Sequence, residues 1–216
     1  MKQETILYPL SREIPYPLVP EYSLKRAFDF ILACMGLVLS LPLWLIIALA
    51  IKMEDGGPLF YRQERVGKGG KKFTLMKFRS MVPDAERQTG PVWAFQNDPR
   101  VTGVGHWLRV TAMDELPQLW NILRGDISFV GPRAERPKFV EQFRQEIANY
   151  DLRHTVQPGL TGLAQIYGSY DSDPKEKFRY ECLYIKKQCF LLDLKLILLS
   201  FWITFRGKWQ DRGKKF

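Results

Sequence analysis

The stretch FILACMGLVLSLPLWLIIALAI, residues 30–51, decides how the chain is organised, because it holds 22 consecutive residues without a charge. That length suffices for a helix across the hydrocarbon core of a bilayer. Pro42 sits in its middle, where it withdraws the hydrogen bond that the Val38 carbonyl would receive, and Ser40 is placed to bond back to the chain and sharpen a bend. Lys25 and Arg26 precede the segment while Lys52, Arg62, Arg65 and Lys68 follow it, so no charge asymmetry orients a simple span. The pattern predicts a helix over 23–54 that enters one leaflet, breaks at Ser40 and Pro42, and returns to the same face. An ordinary span kinked at its proline is the alternative.

Working outward, residues 1–22 carry Pro9, Pro15, Pro17 and Pro20 with no uninterrupted apolar core, which argues against a cleaved signal and for an extended arm. Near the other end, CFLLDLKLILLSFWITFRGK from Cys189 contains Asp193 and Lys195 and then only about ten charge-free residues, too few to cross. Residues 191–216 are expected to lie in the interface, with Trp202 and Phe205 at headgroup level and the closing basic cluster facing anionic lipid. A buried core helix is the competing reading.

The whole chain has 216 residues, 32 Lys and Arg against 23 Asp and Glu, a net charge of +9 and 46% hydrophobic residues. This suits one integrated domain whose partners are polyanions. Three cysteines build no disulfide framework, and Cys182 and Cys189, seven apart, read as core residues. Two distant histidines offer no zinc-ligand spacing. A magnesium ion held by carboxylates and phosphates would leave no such trace. No nucleic-acid motif accompanies the positive charge.

Residues 55–190 form the expected cytosolic body. LFYRQERVG and KKFTLMKF flank Lys68, Gly69 and Gly70 as a β-hairpin, and GKGGKK lacks the spacing of a phosphate-binding P-loop. In KFRSM, Lys77 and Arg79 share one strand face and suit a diphosphate or a solvated surface equally well. The following TGPVWAFQNDPRVTGVGHW reads as loop. In MDELPQLW, Leu116, Leu119, Trp120 and Leu123 mark a helix of roughly ten residues ended by Gly125, with Asp114 and Glu115 at its start. Most acidic pairs at such a place serve as caps. The GDISFVGPRAERP run that follows returns Arg133 and Arg136 in a proline-fixed turn, and with Arg109 these make an anion site beside two carboxylates. A carboxylate attacks phosphorus only when the phosphate charge is neutralised at the moment of approach. PGLTGLAQ, residues 158–165, reads as a turn between packed elements or as a contact for a nucleotide.

The apolar segment with its central Ser-x-Pro, followed by KFRSM, NDPRVTGVGHWLR, MDELPQLWNILRGDISFVGPR and RHTVQPGLTGLAQIYG, resembles the bacterial sugar transferases known as monotopic phosphoglycosyl transferases. The likeness runs from about Lys25 to Phe205 with the blocks in order. It implies an α+β, mostly helical monotopic membrane protein: a re-entrant helix-break-helix, a small β-hairpin, a helical catalytic body and C-terminal interfacial helices. It further implies transfer of a sugar-1-phosphate from a UDP-sugar to polyprenyl (undecaprenyl) phosphate with release of UMP, the opening step of exopolysaccharide, capsule or O-antigen assembly. Asp114 would be the nucleophile, Asp114 and Glu115 would hold Mg2+, and the motif-matched Lys77, Arg109 and Arg133 would hold phosphates; Arg79, from its strand face, and Arg136, from the basic turn, are the further phosphate-binding candidates. The inner membrane, with the body on its cytoplasmic face, is the implied location. Downstream glycosyltransferases and a second copy of the chain are the implied protein partners. GPRAERP, Gln157 and His106 depart from the usual residues, which bears on sugar preference. A membrane-bound lipid-phosphate or sugar-diphosphate hydrolase, and a non-catalytic membrane-attached module, remain the competing readings.

Overall fold

The computed structural model describes residues 21–206 apart from 23, 88–89, 91, 93–94, 96–97 and 169–172. Most of the expected N-terminal arm and the basic tail therefore lie outside the described residues.

The apolar segment forms one 31-residue helix, α1 (Lys25–Asp55), with Pro42 inside it and Gly56 at φ 70° closing it by an N–H bond to the Lys52 carbonyl. The helix continues through the expected break at Ser40 and Pro42. Ser40 Oγ donates to the Leu37 carbonyl at 3.2 Å and accepts from Trp44 Nε1 at 3.1 Å, one residue from the Val38 carbonyl whose donor Pro42 removes. The middle of α1 is bare: Met35, Val38, Leu39, Leu41, Leu45, Ile46 and Leu49 are all exposed. Such a continuous apolar surface is unstable in water and belongs in lipid or against a partner.

Both ends of α1 are tied to the same body. At the start, Lys25 pairs with Asp193 in a buried contact and Asp29 accepts from the Phe129 N–H at 3.2 Å. At the finish, Glu54 accepts from the Val104 N–H at 3.1 Å and Asp55 from Arg79 Nη1 at 2.5 Å.

The hairpin forms as expected. Strands β1 (Phe60–Val66) and β2 (Lys72–Phe78) pair antiparallel from Phe60 with Phe78 to Val66 with Lys72. Its turn needs Gly69 at φ 66°, which side chains resist. Phe60 and Phe78 stack at 5.5 Å and Trp44 meets Phe78 edge-on at 5.1 Å. With Ile47, Ile51 and Leu108 these rings join the second half of α1 to the hairpin.

Helix α2 (Gly103–Val110) begins where the sequence reads as loop, capped by Thr102, whose side chain accepts from the Gly105 N–H. After it, Met113–Glu115 makes a single 3₁₀ turn, and α3 (Gln118–Arg124) starts at Pro117 and ends on Gly125 at φ 82°. The acidic pair thus precedes a seven-residue helix instead of opening a ten-residue one. The buried face also differs from expectation: Leu119 and Ile122 point inward while Trp120 is 49% exposed.

Strands β3 (Ser128–Val130) and β4 (Gly159–Thr161) pair in parallel. The glycines of PGLTG are required by packing here, since a Cβ on Gly159 would lie 2.0 Å from the Gly131 nitrogen and one on Gly131 2.2 Å from the Gln157 oxygen. Helix α4 (Pro137–Glu146) packs on β1 and α5 (Leu163–Tyr167) on α6 (Pro174–Lys187), and Phe139, Phe143, Tyr150 and Phe178 form a satellite core.

The last helix, α7 (Phe190–Phe205), combines the two readings offered for it. Leu196, Ile197 and Ile203 are buried in the main core with Ala33, Ile122 and Val130, while Leu191, Leu198, Phe201, Trp202 and Phe205 are exposed. Arg206 lies over the Trp202 ring at 4.3 Å. Cys182 is half-buried and packs on the satellite core. Cys189 is exposed at the α6–α7 junction, contrary to its reading as a core residue, because the chain is extended there and breaks the helical period on which that reading rests.

Candidate active site

The site begins with β2, whose pleat turns Lys77 away from buried Phe78. Helix α3 is fastened to the same strand by Asn121, which is 1% exposed. Its Oδ1 accepts from the Met76 N–H at 3.0 Å and its Nδ2 donates to the Thr74 carbonyl at 2.8 Å. A side-chain amide therefore acts as one more rung of the sheet ladder, and it brings the turn before α3 alongside Lys77.

In that turn the Lys77 ammonium lies 2.5 Å from Glu115 Oε1 and 3.8 Å from Asp114 Oδ2. The cap positions of the turn and of α3 belong to Ala112 and Pro117, not to Asp114. It is buried, and loss of water pushes its carboxyl up to about 6, with the Glu115 charge adding to the rise and Lys77 and Arg109 opposing it. The turn is entered through Ala112 at φ 54°, a left-handed conformation costly for a residue with a Cβ and typical of strained backbone at working sites.

A cleft of about 1680 Å³ opens over this pair. Lys77, Arg109, Arg133 and Arg136 line it together with Asp114 and Glu115, so the structure gathers these sequence-predicted residues in one cavity. Arg109 is steadied by donating from Nε to Ser80 Oγ at 3.1 Å. Arg133 holds its side chain 46% exposed, with Glu135 at 3.9 Å. Arg136 reaches across to Glu86 with two bonds of 2.7 Å, so a carboxylate occupies the fork that a phosphate would use.

Arg79 also borders the cleft but is arranged differently. Its guanidinium grips Asp55 in a two-pronged pair and donates to the Pro58 carbonyl at 2.6 Å and the Met81 carbonyl at 3.2 Å. The same interaction holds the Asp55 carboxyl down at about 2. Arg79 thereby braces the end of α1. Shared strand parity with Lys77 did not reveal this, because the partner is 24 residues away.

Ser80, Asn121 and the buried Arg153–Glu181 pair are parts of the site that motif reading missed, since nothing in their local sequence marks their partners. Among the described residues, no group of three or more His, Cys, Asp or Glu side chains gathers to hold a metal. Two adjacent carboxylates facing an open cleft still fit magnesium, which commonly takes one or two carboxylates and completes its shell with substrate phosphates and water.

The fold thus joins a long apolar helix and a hairpin to a cationic cleft that holds two carboxylates. The chain belongs to the bacterial sugar transferase family, whose model matches residues 20–207. It is 42% identical over 206 residues to the UDP-glucose:undecaprenyl-phosphate glucose-1-phosphate transferase of Escherichia coli K12, covering 89% of this chain and 44% of that protein. It is 42% identical over 177 residues to the UDP-N-acetylgalactosamine-undecaprenyl-phosphate N-acetylgalactosaminephosphotransferase of Aeromonas hydrophila, covering 81% and 42%. A Caulobacter vibrioides protein named as a UDP-glucose:undecaprenyl-phosphate glucose-1-phosphate transferase is 39% identical, covering 85% of this chain and 70% of its own length. The chain spans less than half the length of the first two.

Proposed function

We propose that this chain transfers a sugar-1-phosphate from a UDP-sugar to undecaprenyl phosphate, releasing UMP. The observation that carries the reading is the setting of Asp114: buried, adjacent to Glu115, and faced by Lys77 and Arg109 at the floor of a cationic cleft. Relatives named for glucose and for N-acetylgalactosamine transfer are each 42% identical to this chain, so the reading names the sugar-1-phosphate as a class.

In the first half-reaction an Asp114 carboxylate oxygen attacks the β-phosphorus, the bond from that phosphorus to the bridging oxygen breaks, and UMP leaves with the electron pair. In the second, an oxygen of the polyprenyl phosphate attacks the same phosphorus and Asp114 departs as a carboxylate. Lys77, Arg109 and Arg133 oppose the charge on the diphosphate, and burial keeps water from competing for the acyl-phosphate. Glu115, with Asp114, would hold a magnesium ion that adds Lewis-acid neutralisation of the phosphates.

The ties at both ends of α1 support a re-entrant anchor. A helix that crossed the bilayer would carry Glu54 and Asp55 a membrane thickness away from Lys25, about 30 Å, whereas both ends bond to one body. On this reading the bare middle of α1 and the exposed face of α7 lie in lipid. The body then sits on the cytoplasmic side of the inner membrane, with anionic headgroups near Arg206.

Incubation with donor alone tests the chemistry: intact-protein mass spectrometry is expected to show a phosphosugar adduct in the wild type and none in Asp114→Asn. Turnover by Asp114→Asn at the wild-type rate would refute the nucleophile. Free sugar phosphate in place of lipid-linked product would identify a hydrolase. Cysteine labelling near residues 22 and 57 from one side only is expected for the re-entrant anchor.

A further inference from the structure

Arg133 presents its guanidinium to the cleft, and both polar groups of its backbone are held by one buried ion pair. Glu181, on α6, accepts from the Arg133 N–H at 3.1 Å. Arg153, in the 3₁₀ segment Tyr150–Thr155, donates from Nη2 to the Arg133 carbonyl at 2.7 Å. The two are joined by bonds of 2.9 Å and 2.7 Å, and their side chains are 4% and 3% exposed. Tyr150 backs the guanidinium of Arg153 at 4.8 Å.

A turn at a cleft rim needs no such device, because water satisfies exposed peptide groups. Burying two charges is costly, and apolar replacements of the same volume often stabilise a protein as well or better. What this pair supplies is direction. With N–H and carbonyl both pinned, the Cα–Cβ bond of Arg133 has a set orientation, and the side chain searches only its own torsions. Arg133 then shares a small recess with Lys77 and Glu115.

We infer that Arg153 and Glu181 are positioning residues that aim Arg133 at the diphosphate of the nucleotide donor, an inference that rests on the proposed transferase reading. They touch Arg133 and act through it.

The test is a double-mutant cycle on the full chain in membranes, reading kcat/KM for the UDP-sugar donor and the melting shift produced by UDP. Glu181→Asp keeps the charge pair and draws the carboxylate back from the Arg133 N–H. Alone it is expected to lower kcat/KM about tenfold, as Arg133→Ala does or more, and to shrink the UDP-induced shift. In the Arg133→Ala background the same change is expected to cost less than about twofold, because the side chain it aims is gone. Arg153→Lys, which keeps the charge and loses the fork, is expected to behave like Glu181→Asp. Effects that multiply in the double variant would overturn the inference, as would failure of both Glu181→Asp and Arg153→Lys to fold, which would make the pair a stability element. If the wild type transferred no phosphosugar while the UDP shift still showed non-additivity, the positioning role would stand and the transferase reading would fall.

Discussion

The ammonium of Lys77 lies 2.5 Å from the Oε1 of Glu115, although the two are 38 residues apart and only one of them is on a strand. Asp114 is next in line at 3.8 Å, so one cation serves two carboxylates and governs how readily the buried one ionises.

Removing that cation has a definite consequence. On the proposed mechanism Asp114 must be ionised to attack, and burial raises its carboxyl to about 6 with Lys77 opposing the rise. Activity of the wild type is expected to rise with pH through about 6. In Lys77→Met the rise moves to higher pH and kcat/KM falls about a hundredfold. A pH profile of kcat/KM checks both; an unmoved limb would remove Lys77 from control of Asp114.

Asp114→Asn is expected to abolish turnover and to stabilise the fold. The carboxyl is raised from 3.8 to about 6, so the folded state binds the proton more tightly than the unfolded chain. The stability linked to that proton is fully present below 3.8 and lost as pH rises through about 6. At pH 7 the ionised group therefore costs up to about 3 kcal/mol. The neutral amide escapes that cost, and thermal melts at pH 7 are expected to rise by a few degrees. A lower melting temperature would contradict the burial argument.

Arg79→Lys is expected to act on stability with little effect on the KM for donor. The two-pronged grip on Asp55 and the bonds to the Pro58 and Met81 carbonyls need a guanidinium fork, which an ammonium does not reproduce. A large rise in KM at unchanged melting temperature would restore Arg79 to phosphate binding.

Gly105→Ala is expected to destabilise the protein by about 1–3 kcal/mol, as overpacking does, and to lower kcat/KM. Its Cβ would sit 2.1 Å from the backbone carbonyl oxygen of Ser80, forcing α2 off the residue whose Oγ steadies Arg109. Gly103→Ala is the control, since its Cβ would meet the flexible Glu54 carboxylate at 3.1 Å. Equal effects from the two would remove the link between Ser80 packing and Arg109.

The parts legible in the sequence share a feature: their signals are local. The hairpin was marked by alternating residues around glycines, and α1 by an uninterrupted apolar run. The acidic pair stood out because two arginines return soon after it. Where the reading went astray, the deciding partner was distant. Trp120 fits the helical period yet faces outward, because Asn121 and Ile122 claim the inner face through the strand beside them. Arg79 fits the strand period yet is captured by Asp55.

The sequence alone determined the apolar helix, the hairpin and the residue types that meet in the cleft, since these follow from hydrophobic run length, turn chemistry and charge at close spacing. Only the tertiary structure decided which charges serve the cleft and which brace the frame. Arg79, Arg133 and Arg153 are alike as letters, and a guanidinium is assigned its task by whichever carboxylate or carbonyl the packing of remote elements brings within about 3 Å.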